Sequence, residues 1–357
     1  MMNNNRIVSI FKYLKTKVLL LILLIGFFSC GIFDSGINFN QGNALQSEYF
    51  DTIPYKNIRD KIIIPVIIKK DTFDFIFDTG APTMVSEKLM QRFSFPLIGA
   101  DTIRDTNWNK EHRKITLLDR IAIGDVDFVN IPAIVSSFNN LPWTCFNIDG
   151  FIGSNLIRNS VVKIDPDARQ LLVSNSLRPE MNSQRMQNVE MELDQQSSPY
   201  VDVAFGNNLK SSFLFDTGSD DFINLENEEF QNIKSELAIK QLKNGYGSGT
   251  MGLFGPGKKD DTYKFILDSL FFCKYRFSNP SLKVTEADSK IGIKMLGYGP
   301  VILDYSDEKL YFFSRNNPVQ YKEISSSQFG FSPVLEDNHL TFGLIWENSV
   351  ADSIGLK

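Results

Sequence analysis

Short runs of apolar, β-branched and aromatic residues, each closed by a polar or turn-forming group, make up most of this chain. Residues 61–68 (KIIIPVII) and 73–77 (FDFIF) are two such runs broken by a polar Lys-Lys-Asp, a pattern that predicts a β-hairpin. Residues 120–128 and 161–173 repeat the style, the latter turning at Asp165-Pro166-Asp167. Helical periodicity is confined to short pieces such as residues 86–92 and 226–237. The expected fold class is therefore all-β.

The pattern also repeats. FIFDTGA at residues 75–81 returns as FLFDTGS at residues 213–219, and LDRIAIGDVDFVN at 118–130 returns as LDSLFFCKYRFSN at 267–279. A third block, IGSNLIRNSVVKIDPDARQLLV at 152–173, returns as IGIKMLGYGPVILDYSDEKLYF at 291–312, pairing Gly153 with Gly292 and Asp165 with Asp304. Three blocks in one order imply two copies of a unit of about 115 residues. Two such all-β units on one chain are expected to pack as two related, barrel-like lobes with a cleft between them, at residues 61–178 and 179–316.

Composition narrows the chemistry. The 357 residues carry 37 Lys and Arg against 42 Asp and Glu, a net charge of −5, so nucleic acid is not an expected partner. With 43% hydrophobic and 22% charged residues, the chain is neither disordered nor a multi-span membrane protein. The 2 histidines, His112 and His339, leave little for a zinc hydrolase or a Ser-His pair, and neither metal nor cofactor is expected. The 30 Phe residues suit pleated, half-buried strands.

Residues 1–30 read as a targeting segment. Arg6, Lys12, Lys15 and Lys17 precede an apolar or Gly run at residues 18–28, too short to span a bilayer. The run ends in Phe27-Phe28-Ser29-Cys30, which resembles the lipobox of bacterial lipoproteins; the usual Leu is Phe27 here. That resemblance implies lipidation at Cys30 and a membrane anchor in the bacterial cell envelope, and since no acidic run follows Cys30 the periplasmic side of the outer membrane is expected. A simple secretory signal with an incidental Cys is the alternative. Residues 31–60, rich in Asn, Gln, Gly and Ser, are expected to be a tether.

The two Asp-Thr-Gly sequences carry the candidate chemistry. Each follows an apolar strand ending in Phe and precedes a small residue, Ala81 or Ser219. A turn needs neither the same three residues twice nor a carboxylate at the end of a buried strand, where its charge is expensive unless shared. If an approximate twofold axis relates the lobes, Asp78 and Asp216 meet on it and hold one proton between them. One could then take a proton from water while the other polarises a carbonyl. Thr79 and Thr217 are expected to brace the opposite lobe's backbone, and Gly80 and Gly218 to let the loops approach closely.

These motifs, with GFIGSNLI at residues 150–157, resemble aspartic peptidases of the retropepsin and pepsin type. The likeness covers residues 61–315 and implies a bilobal acid-protease fold with both aspartates on one chain, active as a monomer. In that family an apolar-apolar-Gly strand runs beneath each catalytic loop; Phe151-Ile152-Gly153 fits, whereas Lys290-Ile291-Gly292 departs at Lys290. The implied activity is endopeptidase cleavage of extended peptide or protein substrates; because a dyad tuned for acid would be slow in a near-neutral periplasm, a less acidic optimum than pepsin's is expected. A catalytically inactive peptide-binding or scaffold lipoprotein of the same fold is the alternative.

Three signals remain. Residues 245–257 contain Gly247, Gly249 and Gly252 in a Gly-x-Gly-x-x-Gly pattern, but no buried strand precedes it, no helix follows, and Lys259 stands where a P-loop needs Ser or Thr. Its place in the repeat matches the flap of the resembling family, with a lobe-one counterpart near residues 108–114 in which His112 reads as a surface residue. Cys145 and Cys273 are expected to be two buried small hydrophobes rather than a disulfide, Cys273 in a strand at the place of Gly124. Residues 317–357 resemble the opening of a PDZ domain: Phe329-Gly330-Phe331 as the carboxylate loop, then a strand at 340–346 and a short helix. Only about a third of that domain is present.

Overall fold

The computed structural model describes residues 36–138, 143–181, 185–206, 209–322, 330–336 and 339–356. The proposed signal segment and Cys30 lie outside the described residues, as does Phe329.

Each lobe is built the same way. In lobe one, Lys61–Ile68 pairs antiparallel with Asp71–Asp78 across the expected Lys69-Lys70 turn. Gly150–Gly153 then runs parallel to Asp71–Asp78, with Gly153 opposite Asp78. In lobe two, Pro199–Phe205 pairs antiparallel with Leu209–Asp216, and Lys290–Gly292 runs parallel to it with Gly292 opposite Asp216. Long hairpins complete each lobe: Leu97–Arg104 with Lys110–Ile123, and Ile239–Gly247 with Asp260–Leu267.

A six-stranded antiparallel sheet joins the lobes. Its order is Phe50–Pro54, Gln170–Ser174, Val161–Asp165, Val301–Asp304, Lys309–Phe312 and Gln187–Leu193, three strands from each half. The seam pairs Val161 with Asp304 and Ile164 with Val301. This arrangement, with the two parallel-strand crossings above it, is an all-β fold of two equivalent lobes. Fully buried Phe75 and Phe77 in one lobe and Phe213 and Phe215 in the other belong to one continuous core. Burying such a side chain contributes about 1.5–3 kcal/mol, which holds both aspartate strands rigid up to their last residue.

Helices are short where expected: Glu87–Phe93, capped by Ser86 accepting from the Leu89 amide, and Asn227–Ile233. Residues 36–60 correct the expected tether. Asn43–Ala44 pairs with Val129 and Phe128, Phe50–Pro54 is an edge strand of the joining sheet, and Phe39 and Ile53 are buried. The polar composition reflects edge strands with one wet face, not free chain.

Of the two cysteines, Cys145 departs from the expected burial and Cys273 from the expected strand. Cys145 is exposed, in the short turn Trp143–Cys145, while only Cys273 is buried; the two thiols are unbridged. Cys273 opens a two-residue hairpin turn with φ +45°, as Gly124 does at φ +59° in lobe one, so the repeat aligns a turn and not a strand.

The C-terminal segment is not a separate body. Phe331–Glu336 and His339–Trp346 form a hairpin whose second strand adds to lobe two, pairing Trp346, Ile345 and Leu344 with Gly245, Tyr246 and Gly247. Leu344 and Ala351, the latter in the helix Val350–Ser353, are buried.

Candidate active site

Asp78 and Asp216 are the last residues of the two buried aspartate strands, and both side chains are buried at the junction of the lobes. Each accepts from the amide two residues on: Gly80 N–H to Asp78 Oδ1 at 2.9 Å and Gly218 N–H to Asp216 Oδ1 at 2.8 Å. The loops are cross-braced. Thr79 Oγ1 donates to the Phe215 carbonyl at 2.6 Å and Thr217 Oγ1 to the Phe77 carbonyl at 2.9 Å. Each hydroxyl also accepts from the other threonine's amide, both at 3.1 Å. The six polar atoms of this brace, two hydroxyls, two amides and two carbonyls, are thus all paired across the twofold relation.

The glycines are required by contact. A Cβ on Gly80 would lie 2.5 Å from Asp216 Cγ, and one on Gly218 would press against the Asp78 carboxylate. The small residues that follow are equivalent too: the Ala81 carbonyl accepts from the Ser154 amide at 3.1 Å, and the Ser219 carbonyl from the Ile293 amide at 2.9 Å. Ser154 Oγ further donates to the Thr79 carbonyl at 2.7 Å and meets the buried Tyr305 hydroxyl at 3.0 Å.

Electrostatically the pair is not symmetric. Burial, followed by the charge of Asp216, pushes the Asp78 carboxyl up to about 7, although Lys61 and the Gly80 amide act against it. Burial would raise Asp216 as well, but the charge and hydrogen bond of Lys290, with help from Lys61, outweigh it and hold Asp216 below the ordinary carboxylate value. Lys290 Nζ lies 3.0 Å from Asp216 Oδ2, and its side chain is 6% exposed. Lys61 reaches across from lobe one to the Gly218 carbonyl and Asp220.

The two long hairpins close over this centre. Lys290 Nζ donates to Thr106 Oγ1 at 2.6 Å, so the lobe-one tip, residues 105–109, lies against the dyad's own lysine. The lobe-two tip rests on it in turn: Thr250 Oγ1 donates to Asn107 Oδ1 at 2.9 Å, the Phe254 amide to Asp105 Oδ2 at 2.9 Å, and Asn109 Nδ2 to the Pro256 carbonyl at 3.1 Å. Of the glycines expected in the flap, Gly252 packs on Asp105, whereas Gly247, at φ +123°, and Gly249 pack on Gly343 and Leu344 of the C-terminal strand. His112 is exposed on the outer part of the lobe-one hairpin. A recess of about 720 Å³ lies between Asp221–Ile223 and the C-terminal hairpin, and neither aspartate lines it.

Sequence reasoning noted Lys290 only as a departure and did not find Lys61, Thr106 or Asp105. A lysine at the repeat position of Phe151, two residues before the glycine facing an aspartate, was the available signal. Among the described residues no group of three or more His, Cys, Asp or Glu is arranged to hold a metal ion.

A scan against protein-family models finds none that matches the chain, and a search of curated proteins finds no match. Among solved structures the chain is similar to basic 7S globulin from soybean, with 11% sequence identity and a TM-score of 0.43, over 78% of this chain and 96% of that one. A likeness so distant does not bear on chemistry, which rests on the site itself.

Proposed function

We propose that the protein is an aspartic endopeptidase that cleaves extended peptides by direct attack of a water shared between Asp78 and Asp216. The observation that carries this reading is the reciprocal bracing of the two Asp-Thr-Gly loops, which sets two buried carboxyls in opposed, equivalent frames. Asp216, ionised, takes a proton from the water as its oxygen adds to the scissile carbonyl. Asp78, protonated below about 7, donates to the carbonyl oxygen. Collapse of the tetrahedral intermediate breaks the C–N bond as the proton on Asp216 passes to the leaving nitrogen, and the return of a hydroxyl proton to Asp78 restores the starting pair. The protein acts as a monomer, since one chain supplies both aspartates, and Cys30 anchors it by lipid in the cell envelope on the periplasmic side.

A second reading, a peptide-binding lipoprotein without turnover, is favoured by one feature: an ammonium group already ion-paired to Asp216 beneath two clasped hairpin tips. Digestion of a mixed peptide library from pH 4 to 7.5, with and without pepstatin, separates them. Pepstatin-sensitive cuts support the peptidase. Retention of peptides by folded protein without any cuts supports the binding protein.

A further inference from the structure

We propose that Lys290 is a positioning residue that decides which aspartate carries the proton, so that Asp216 is held as the carboxylate and Asp78 is left as the acid. The consequence for rate rests on the peptidase reading above, whereas the proton assignment can be measured without turnover.

The argument starts from the repeat. Lys290 and Phe151 hold equivalent places, each two residues before the glycine that faces an aspartate in the parallel strand. Side chains at i and i+2 share a strand face. The face of Gly292 abuts the catalytic loop at the Ser219 and Asp221 carbonyls, so residue 290 projects toward the dyad. In lobe one the equivalent side chain is an aromatic packed on Phe138 and Trp143. In lobe two it is an ammonium 3.0 Å from Asp216 Oδ2. Two backbone frames that are otherwise equivalent thus differ by one buried positive charge on one side.

The neighbouring charges do not cancel that difference. Asp288 is paired with Arg104 at 3.6 Å and Asp221 with Lys283 at 3.8 Å, while both oxygens of Asp105 accept amides of the hairpin tips. Lys61 acts on both aspartates, but its ammonium is bound to the Gly218 carbonyl and Asp220. The Tyr200 hydroxyl is pushed further up by burial and stays neutral. Lys290 itself is held charged: burial works against it, and Asp216, then Asp288 and Asp78, outweigh that. Its second bond, to Thr106 Oγ1, ties the ammonium to the lobe-one tip.

The test is a carboxyl titration by NMR of the full-length protein carrying ¹³C-labelled aspartate, in wild type, Asp78→Asn, Asp216→Asn, Lys290→Met and Thr106→Val. In wild type one carboxyl should titrate near neutrality and vanish in Asp78→Asn, while the Asp216 signal stays ionised at pH 4. Removing an opposite charge at contact distance should move the Asp216 titration up by about 1–3 pH units in Lys290→Met, and Thr106→Val should move it in the same direction by less. The acid limb of kcat/KM should follow by the same shift. These titrations without any peptide cleavage would uphold the proton assignment and sink the peptidase reading. In Asp216→Asn the Asp78 titration should move down as the charge that helps to raise it is removed. Persistence of a near-neutral carboxyl in Asp78→Asn would overturn the proposal. So would an Asp216 titration that neither Lys290→Met nor Thr106→Val moves; should Lys290→Met fail to fold, Thr106→Val and the two aspartate variants decide.

Discussion

Gly80 of lobe one lies directly against Asp216 of lobe two, close enough that a single added methyl would sit 2.5 Å from the carboxylate carbon. The carboxylate of one lobe therefore occupies the space that a side chain would take in the other. Gly80→Ala must push the loops apart, and a displacement of about 1 Å at reacting groups costs about 100-fold in rate. Peptide cleavage by Gly80→Ala should fall by at least that factor, with a lowered Tm; unchanged cleavage would show that the contact does not set the dyad.

Thr79 donates to the Phe215 carbonyl and accepts from the Thr217 amide. Thr79→Val leaves both buried partners unpaired, at about 1–3 kcal/mol each. Urea unfolding should show a loss of about 2–6 kcal/mol for Thr79→Val and much less for Thr79→Ser, which keeps the hydroxyl. Equal losses in the two variants would place the cost in packing instead.

Stability should depend on pH with a sign set by Asp78. Burial and the charge of Asp216 raise its folded pKa to about 7, above the ordinary value that the unfolded chain regains. Between those two values the folded state holds a proton that the unfolded state has lost, so this group's contribution falls as pH rises through the window and levels off above it. Asp78→Asn has no such proton. Its Tm relative to wild type should climb from pH 4 to 7 and then stay flat, whereas a constant difference would contradict the raised value.

Asp105 gathers the amides of Asn107, Asn109 and Phe254 and so ties both hairpin tips together. Asp105→Ala should speed hydrogen exchange at the Phe254 amide and around residues 250–256 while leaving the joining sheet unchanged. Protection equal to wild type at Phe254 would show that the clasp is held elsewhere.

The parts legible in the sequence were those that repeat. Two Asp-Thr-Gly loops after Phe-rich strands and the hairpin at 61–78 follow from local pattern and from its recurrence 138 residues later for the threonines, while the glycine strand beneath each loop was implied by the family resemblance. What escaped were contacts between segments distant in sequence. Nothing near Thr106 or Asp105 marks that hairpin tip as the partner of residues 250–256. Residues 36–60 read as tether because their strands lie at sheet edges and keep a polar face. Lys290 was visible as a charge in an apolar place, but that its ammonium meets Asp216 depends on the parallel register of Lys290–Gly292 with Leu209–Asp216.

The central claim is that Asp78 and Asp216 together perform hydrolysis. Its most direct measurement is the initial rate of cleavage of one identified peptide by wild type, Asp78→Asn and Asp216→Asn at pH 5.5, each confirmed as folded by its melting profile. The account predicts that either substitution alone abolishes cleavage, by about 1,000-fold or more, because neither carboxyl can act without the other. A variant that still cleaves at the wild-type rate would contradict it.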